Sequence, residues 1–276
     1  AEVLGIDYGQ VKVVNDDTDN CPLSLGTFAS RVTYVDGKAT VAAAENARDI
    51  LLEVAAQMLE KSSEDLVAAD GKISVKDDPD TSLSIGEVAG AATYGMRRLV
   101  VGLGHYMREP SPPDPETGEC DPVCSLAWAA NLAEVEVDTE TGEVEVLRLV
   151  SSYDVGKAIN PMLTEGQIDG GAAMGIGAAL SEEVHPRYPS IEDQPTNLGD
   201  YAIPTTMDIP NMESVIYECP STNGPFGAKG LGEMTANCPA PAIVNAVHDA
   251  IGVWITQLPA SPERILRALE EKGGDS

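Results

Sequence analysis

Basic residues are scarce in this chain. Lys and Arg together number 17 against 45 Asp and Glu, which gives a formal net charge of −28 over 276 residues. Nucleic acids and anionic membranes are bound through clusters of cationic side chains, so this balance argues against both classes of partner. A solvated acidic surface that keeps the protein in solution is the simplest explanation. The same composition is similar to that of salt-adapted proteins, and a halophilic source is a further hypothesis.

Aromatic residues are also rare, at 4% of the chain with two Trp and two Phe. We therefore expect a core built mainly from Ala, Val, Leu and Ile. No apolar run approaches the length of a membrane-spanning helix, and the first residues lack the charged and apolar regions of a signal peptide. These absences predict a cytoplasmic protein. The abrupt start suggests that a further segment precedes it, on another chain or in a missing part.

The cysteines fit no disulfide framework, because five is an odd number and they are scattered along the chain. Cys120 and Cys124 lie four positions apart in an acidic loop, where a metal would need two further ligands. Free thiols are the favoured interpretation and a metal site is the alternative. The five residues are Cys21, Cys120, Cys124, Cys219 and Cys238.

Hydrophobic spacing predicts mixed secondary structure in the first half. Residues 11–14 are predicted as a short strand, and apolar residues at helical spacing predict a helix over 40–59. An Asp-Gly pair predicts a hairpin over 64–76. Ser84 and Glu87 have the spacing of a capping box, which predicts that a helix of about a dozen residues begins there. A loop rich in Pro, Asp and Glu over 106–122 places a domain boundary near residue 125.

The second half contains the clearest strand pattern. Strict alternation over 133–146 predicts a β-hairpin with one solvated face. A helix that includes 167–180 is rich in glycine, which lowers helix propensity, so we expect another part of the protein to approach its backbone closely. Ser261 and Pro262 predict the start of the last helix. The chain is thus predicted to be an α+β (mixed α/β) protein with two subdomains, residues 1–125 and 126–276, and a β-hairpin between them.

A glycine-rich loop, residues 223–233, is the most informative segment. Four glycines fall within nine positions just before Glu233, and glycine lets a backbone approach a ligand closely. The helical pattern that follows would place Glu233 between a backbone-lined concavity and a buried helix, a desolvated setting that suits a general base. A capping or solvated role is the alternative. The loop is not a Walker A motif, because Lys229 is followed by Gly230 and not by Ser or Thr.

Several motifs in a fixed order resemble the molybdenum hydroxylases of the xanthine oxidase type. In chain order, the motifs are Gly26-Thr-Phe-Ala-Ser-Arg, Asp154-Val-Gly-Lys-Ala-Ile-Asn-Pro, Glu165-Gly-Gln-Ile-Asp-Gly-Gly, Gly224-Pro-Phe-Gly-Ala-Lys-Gly-Leu-Gly-Glu and Ser261-Pro-Glu-Arg-Ile. The chain is similar to the C-terminal part of the molybdopterin-binding subunit, and most similar to the medium molybdopterin subunit of nicotinate dehydrogenase. The resemblance implies the molybdopterin-binding fold of this family, with its first subdomain incomplete.

The resemblance also implies roles for individual residues. Glu233 corresponds to the family's catalytic base, in a hydroxylation whose oxygen comes from water. Gln167 corresponds to a glutamine that binds the cofactor near the metal, and Gly230 and Gly232 to backbone positions close to it. The loop that holds the pterin and its phosphates corresponds to Thr27, Phe28, Ala29, Ser30 and Arg31. No residue of this chain is expected to ligate molybdenum, which the dithiolene of the pterin holds.

A cofactor, partners and a reaction follow from the same resemblance. The cofactor would be molybdopterin with Mo, in the cytosine dinucleotide form, and the substrate an N-heterocycle, a purine or an aldehyde. A larger molybdopterin subunit would complete the site, and [2Fe-2S] and FAD subunits would carry the electrons away. Two alternatives stay open: a reductive family member that acts on an aromatic acyl-CoA, and a scaffold subunit that holds the cofactor without catalysis.

Overall fold

The structure is a computed structural model that describes residues 1–109, 111–183, 195 and 197–274. It contains two compact units. The first consists of Ala1–Gly26 and Tyr34–Cys120, and the second of Thr27–Thr33 and Asp121–Ser276. Each unit has helices and a three-stranded sheet, which confirms the predicted α+β class.

The first unit packs helices against an antiparallel sheet of order β1-β2-β3. Its elements are α1 (Val32–Leu59), β1 (Leu66–Ala69), β2 (Lys72–Val75), β3 (Asp78–Ser84), α2 (Ile85–Gly90) and a π-helical turn (Ala91–Gly95). Asp70 and Gly71 both have positive φ, 50° and 76°, as a two-residue hairpin turn requires. Ser84 and Glu87 exchange hydrogen bonds at the start of α2. Both the predicted hairpin and the predicted capping box are confirmed.

Two predictions for this unit are wrong. Residues 11–14 form no strand, and Val13 is 73% exposed with no neighbouring strand to pair with. The long helix begins at Val32, not at residue 40. A Cβ at Gly102 or Gly104 would lie 1.9 or 2.2 Å from backbone oxygens of α1. The added part of the helix, residues 32–39, contains Val, Thr, Asp and Gly, which have low helix propensity, so the sequence pattern did not extend the prediction to it.

The second unit contains the predicted hairpin. Its elements are β4 (Ala129–Val137), β5 (Val144–Asp154), α3 (Pro161–Leu180), β6 (Asn211–Tyr217), α4 (Pro239–Ile251) and α5 (Pro262–Gly274). The hairpin strands β4 and β5 are antiparallel, and β6 pairs with β5 in parallel. The Asp138 carboxylate accepts the N–H groups of Glu140 and Thr141, which fixes the turn. Ser261 accepts the Arg264 N–H and caps α5, as predicted.

The core of this unit lies between the sheet and helices α3 and α4. Val146 and Leu149 of β5 pack there with Ile176 of α3 and Ile243 of α4. A Cβ at Gly175 would lie 2.6 Å from the Pro239 side chain. This confirms that another segment approaches the backbone of α3 closely. No helix within the described ranges is long and apolar enough to cross a membrane.

Candidate functional site

The glycine-rich loop is hydrogen-bonded to the chain that leaves β5. Gly156 and Ala228 form an isolated antiparallel bridge, and the Lys229 N–H donates to the Val155 carbonyl at 2.9 Å. Gly156 has a φ of 67°, and a Cβ there would lie 2.3 Å from the Gly227 carbonyl oxygen. Only glycine fits where these two backbones meet. The segment Asp154-Val-Gly and the glycine-rich loop are therefore held together by backbone hydrogen bonds.

Glu233 is the first residue of a short 3₁₀ turn, Glu233–Ala236, that follows Gly232 directly. Thr235 stabilises this turn, because its hydroxyl and its backbone N–H both donate to the Gly232 carbonyl, at 2.7 and 3.1 Å. The Glu233 side chain is exposed. The predicted desolvated setting is therefore wrong for this chain by itself, since the short turn separates Glu233 from the buried helix α4.

The segment Thr27–Arg31 lies against the glycine-rich loop. A Cβ at Gly230 would lie 1.9 Å from the Ser30 carbonyl oxygen, so no side chain fits there. A Cβ at Gly232 would lie 3.4 Å from the Ser30 hydroxyl oxygen, which is an ordinary contact. The structure thus brings together predicted site residues from opposite ends of the sequence. Gly230 is required for the contact between the two loops.

The backbone of Thr27–Arg31 has a conformation that presents donors. Ala29 and Ser30 have positive φ, 53° and 52°, which is uncommon for residues with a side chain. Within the described part of the chain, their backbone N–H groups donate to no protein acceptor. The Arg31 guanidinium lies 5.5 Å from the centre of the Phe28 ring. Adjacent backbone N–H groups beside a guanidinium suit the oxygens of an anion.

Gln167 lies on the exposed side of α3 and lines a cleft of about 230 Å³. Lys229 and Leu231 of the glycine-rich loop line the same cleft. Glu233 is not among the residues that line it. The structure therefore places Gln167 beside the loop that carries Glu233, with the cleft open to a ligand.

A buried ion pair lies beneath the glycine-rich loop, and the sequence analysis missed it. The Lys229 Nζ is 2.5 Å from the Asp154 Oδ2, and the two side chains are 10% and 2% exposed. The second oxygen of Asp154 accepts the Gly156 N–H at 3.0 Å. An acidic residue at the end of a buried strand was the only signal in the sequence. Its partner lies 75 positions away.

A chain of buried hydrogen bonds supports the turn that begins at Glu233. The Tyr153 hydroxyl donates to the Thr235 carbonyl at 2.8 Å and accepts from the Asn131 amide at 3.2 Å. The Ser151 hydroxyl donates to the Asn131 side-chain oxygen at 2.6 Å. Burial raises the pKa of the Tyr153 hydroxyl, so the group stays protonated and able to donate. This network was also missed, because alternation alone predicts only which side of a strand is buried.

The donors of Thr27–Arg31 suit an anionic group such as a phosphate. The residues that line the cleft beside Gln167 include neither Thr27–Arg31 nor Glu233. Among the described residues, no group of three or more His, Cys, Asp and Glu could hold a metal ion.

Comparison with known families gives one clear match. Residues 1–210 match the family described as molybdopterin cofactor-binding domain. This range includes Thr27–Arg31 and Gln167 and ends before the glycine-rich loop. Glu233 therefore lies outside the range that matches this family.

Individual relatives and solved structures cover nearly the whole chain. It is 35% identical over 277 residues to a probable hypoxanthine oxidase of Escherichia coli K12, covering 98% of this chain and 27% of that protein. It is 34% identical over 272 residues to the nicotine 6-hydroxylase large subunit of Paenarthrobacter nicotinovorans, covering 97% and 32%. The crystal structure of quinoline 2-oxidoreductase from Pseudomonas putida 86 superposes with a TM-score of 0.82 at 32% identity, covering 98% and 34%. The chain thus spans between a quarter and about a third of the length of these relatives.

Proposed function

Because this chain belongs to the molybdopterin cofactor-binding domain family, we propose that it is a catalytic part of the molybdopterin-binding subunit of a molybdenum hydroxylase. One observation carries the proposal: the loop with Glu233 and the segment Thr27–Arg31 meet at the contact between Gly230 and Ser30. This contact supports the proposal, because it joins the loop that carries a carboxylate to a turn whose backbone N–H groups suit an anion. A scaffold that only holds the cofactor would not need the carboxylate at this position.

The residues of the chain have distinct roles in this proposal. Thr27–Arg31 binds the pterin and its phosphate oxygens through backbone N–H groups and the guanidinium of Arg31. Gln167 donates from α3 and orients the cofactor. Gly230 and Gly232 let the backbone lie close to it. Glu233 is the general base, and its carboxylate oxygen accepts the proton that is released when water-derived oxygen is activated.

The cofactor is molybdopterin with Mo, in the cytosine dinucleotide form. When bound, it supplies a two-electron redox centre and a Lewis acid, chemistry that no side chain of this protein can provide. The substrate is an N-heterocycle, a purine or an aldehyde with an electron-poor carbon. Hypoxanthine, nicotine and quinoline, in the names of the relatives, are all N-heterocycles, which favours that class.

Exposed apolar surface on α3 supports a larger molybdopterin subunit as the partner. Met162 and Met174 are 72% and 64% exposed. Gly166 and Gly170 lie between them, and a Cβ at either would meet no atom within 4 Å. Since the relatives are between three and four times as long as this chain, the polypeptide that corresponds to their remaining length is the expected occupant. [2Fe-2S] and FAD subunits complete the proposed complex.

All five cysteines are free, as is usual for proteins of the cytoplasm, where we place this protein.

Replacing Glu233 with Gln in the purified complex tests the base. Gln keeps the size of the side chain but cannot accept the proton, so turnover should fall by about 10²–10⁴-fold. Molybdenum and pterin content should stay unchanged. Glu136→Gln, on the exposed side of β4, is the matched control and should be fully active. Turnover in Glu233→Gln close to that of the control would refute the catalytic assignment and leave a scaffold role.

A further inference from the structure

Both ends of the segment 229–235, which carries Glu233, are attached to consecutive residues of β5. At the first end, Lys229 pairs with Asp154 through its side chain and bonds to Val155 through its backbone. At the other end, the Thr235 carbonyl accepts the Tyr153 hydroxyl at 2.8 Å. Successive side chains of a strand point to opposite faces. Tyr153 and Asp154 can therefore reach the two ends of the segment separately.

Burial makes these attachments strong enough to fix the segment. Asp154 is 2% exposed and Tyr153 is fully buried. A hydrogen bond or ion pair away from water is electrostatically stronger than one at the surface, and an unpaired buried charge is costly. If Lys229 and Asp154 separated, each would be left as an unpaired buried charge. The pair therefore resists any movement that lifts the glycine-rich loop from β5.

Between the attachments, Leu231 and Met234 pack against the cluster that contains Tyr153 and Val155, but Glu233 does not take part in it. Gly230 and Gly232 flank Leu231, and glycine leaves the backbone free to adopt many conformations. Glu233 itself is exposed and makes no ion pair within the described residues. Its position is therefore fixed mainly by the backbone on either side of it.

We propose that Asp154 and Lys229, together with Tyr153, are positioning residues that hold the glycine-rich loop and thereby place the Glu233 carboxylate. Tyr153 and Asp154 do not line the cleft beside Gln167, whereas Lys229 does. The importance of the placement for the reaction rests on the proposed function, but the attachment of the loop does not. Loss of the ion pair should loosen residues 230–236 first and leave the rest of the second unit folded.

Amide hydrogen exchange of the purified protein tests the attachment directly. Asp154→Asn and Lys229→Met should each raise exchange over 230–236 by at least about 10-fold, with α5 unchanged. The double variant removes both charges, so it should exchange more slowly than either single variant. Arg148→Met is the matched control, because it breaks an exposed pair of the same strand, Arg148 with Glu213 at 2.8 Å. It should leave exchange over 230–236 unchanged.

Kinetics of the loaded complex test the placement. A carboxylate misplaced by about 1 Å should lower kcat by about 10–100-fold, with KM within about threefold and the cofactor content unchanged. If Asp154→Asn does not fold, Tyr153→Phe provides the test, because it removes one hydroxyl and should loosen 234–236 alone. Unchanged exchange in all these variants, or an increase spread evenly over α5 and the hairpin, would overturn the proposal. Full activity of Glu233→Gln would instead remove the base and leave the exchange result standing.

Discussion

Replacing Gly230 with Ala should separate the two loops that form the candidate site. The added Cβ would lie 1.9 Å from the Ser30 carbonyl oxygen and 3.3 Å from the Ser30 Cβ. A carbon normally approaches a carbonyl oxygen no closer than about 3.3 Å, so one loop must move by roughly 1.4 Å. The obstacle is backbone and not the end of a flexible side chain. The clash therefore cannot be relieved by a change of rotamer.

The cost should appear in both stability and function. Forcing an extra methyl group into a packed contact costs about 1–3 kcal/mol, which lowers the thermal midpoint of the second unit. A displacement of about 1 Å at a positioned group costs on the order of 10²-fold in rate. The same movement displaces Ser30 within the turn that is proposed to bind the cofactor. We therefore expect a lower content of pterin and molybdenum as well as slower turnover.

Thermal unfolding, metal and pterin analysis and turnover of the purified complex provide the measurements. Gly86→Ala is the control, because a Cβ there meets no atom within 4 Å. It should be as stable as the unchanged protein, or more so. If Gly230→Ala matched Gly86→Ala in both cofactor content and kcat, the contact between the loops would not define the site.

Two further predictions concern other parts of the second unit. Gly170 lies inside α3 with open space around it, so Gly170→Ala should raise the stability of the chain by about 0.5–1 kcal/mol in thermal unfolding. The same substitution should reduce co-purification of the larger subunit. Unchanged co-purification would argue against α3 as the interface. The N–H groups of Glu140 and Thr141 lower the pKa of Asp138 below 3.8, so this carboxylate stabilises the hairpin above that pH and the effect is lost as the pH falls through its lower folded value. Asp138→Asn should therefore lower the thermal midpoint at pH 7, and this deficit should shrink as the pH falls below 3.8; a deficit that stays constant with pH would contradict the assignment.

Features set by neighbouring residues could be predicted from the sequence. The turn at Asp70-Gly71, the capping box at Ser84 and the cap at Ser261 each depend on a few adjacent positions. The strand predicted over 11–14 is absent, because a strand needs a neighbouring strand to pair with and the sequence of a short segment does not show whether one is present. The start of α1 was missed because residues 32–39 include Val, Thr, Asp and Gly, which have low helix propensity.

The candidate site shows the same contrast between features set by neighbouring residues and features set by contacts between distant residues. Glu233 and Thr27–Arg31 were predicted as site residues from motifs, but the contact between Gly230 and Ser30 became visible only in three dimensions. The Asp154–Lys229 pair joins positions 75 apart, and the Tyr153–Thr235 bond joins positions 82 apart. Spacing within a motif carries no information about such pairs.

On the proposed function, the exposure of Glu233 is explained by the small share of its relatives' length that this chain spans. The fold supplies the geometry of the loop through buried contacts that lie wholly within the second unit. A general base also needs an environment with little water, so that its proton affinity matches the reaction. No described residue of the second unit buries Glu233, whereas the relatives are between three and four times as long as this chain. On the proposed function, this chain therefore positions the carboxylate, and the larger subunit excludes water from it.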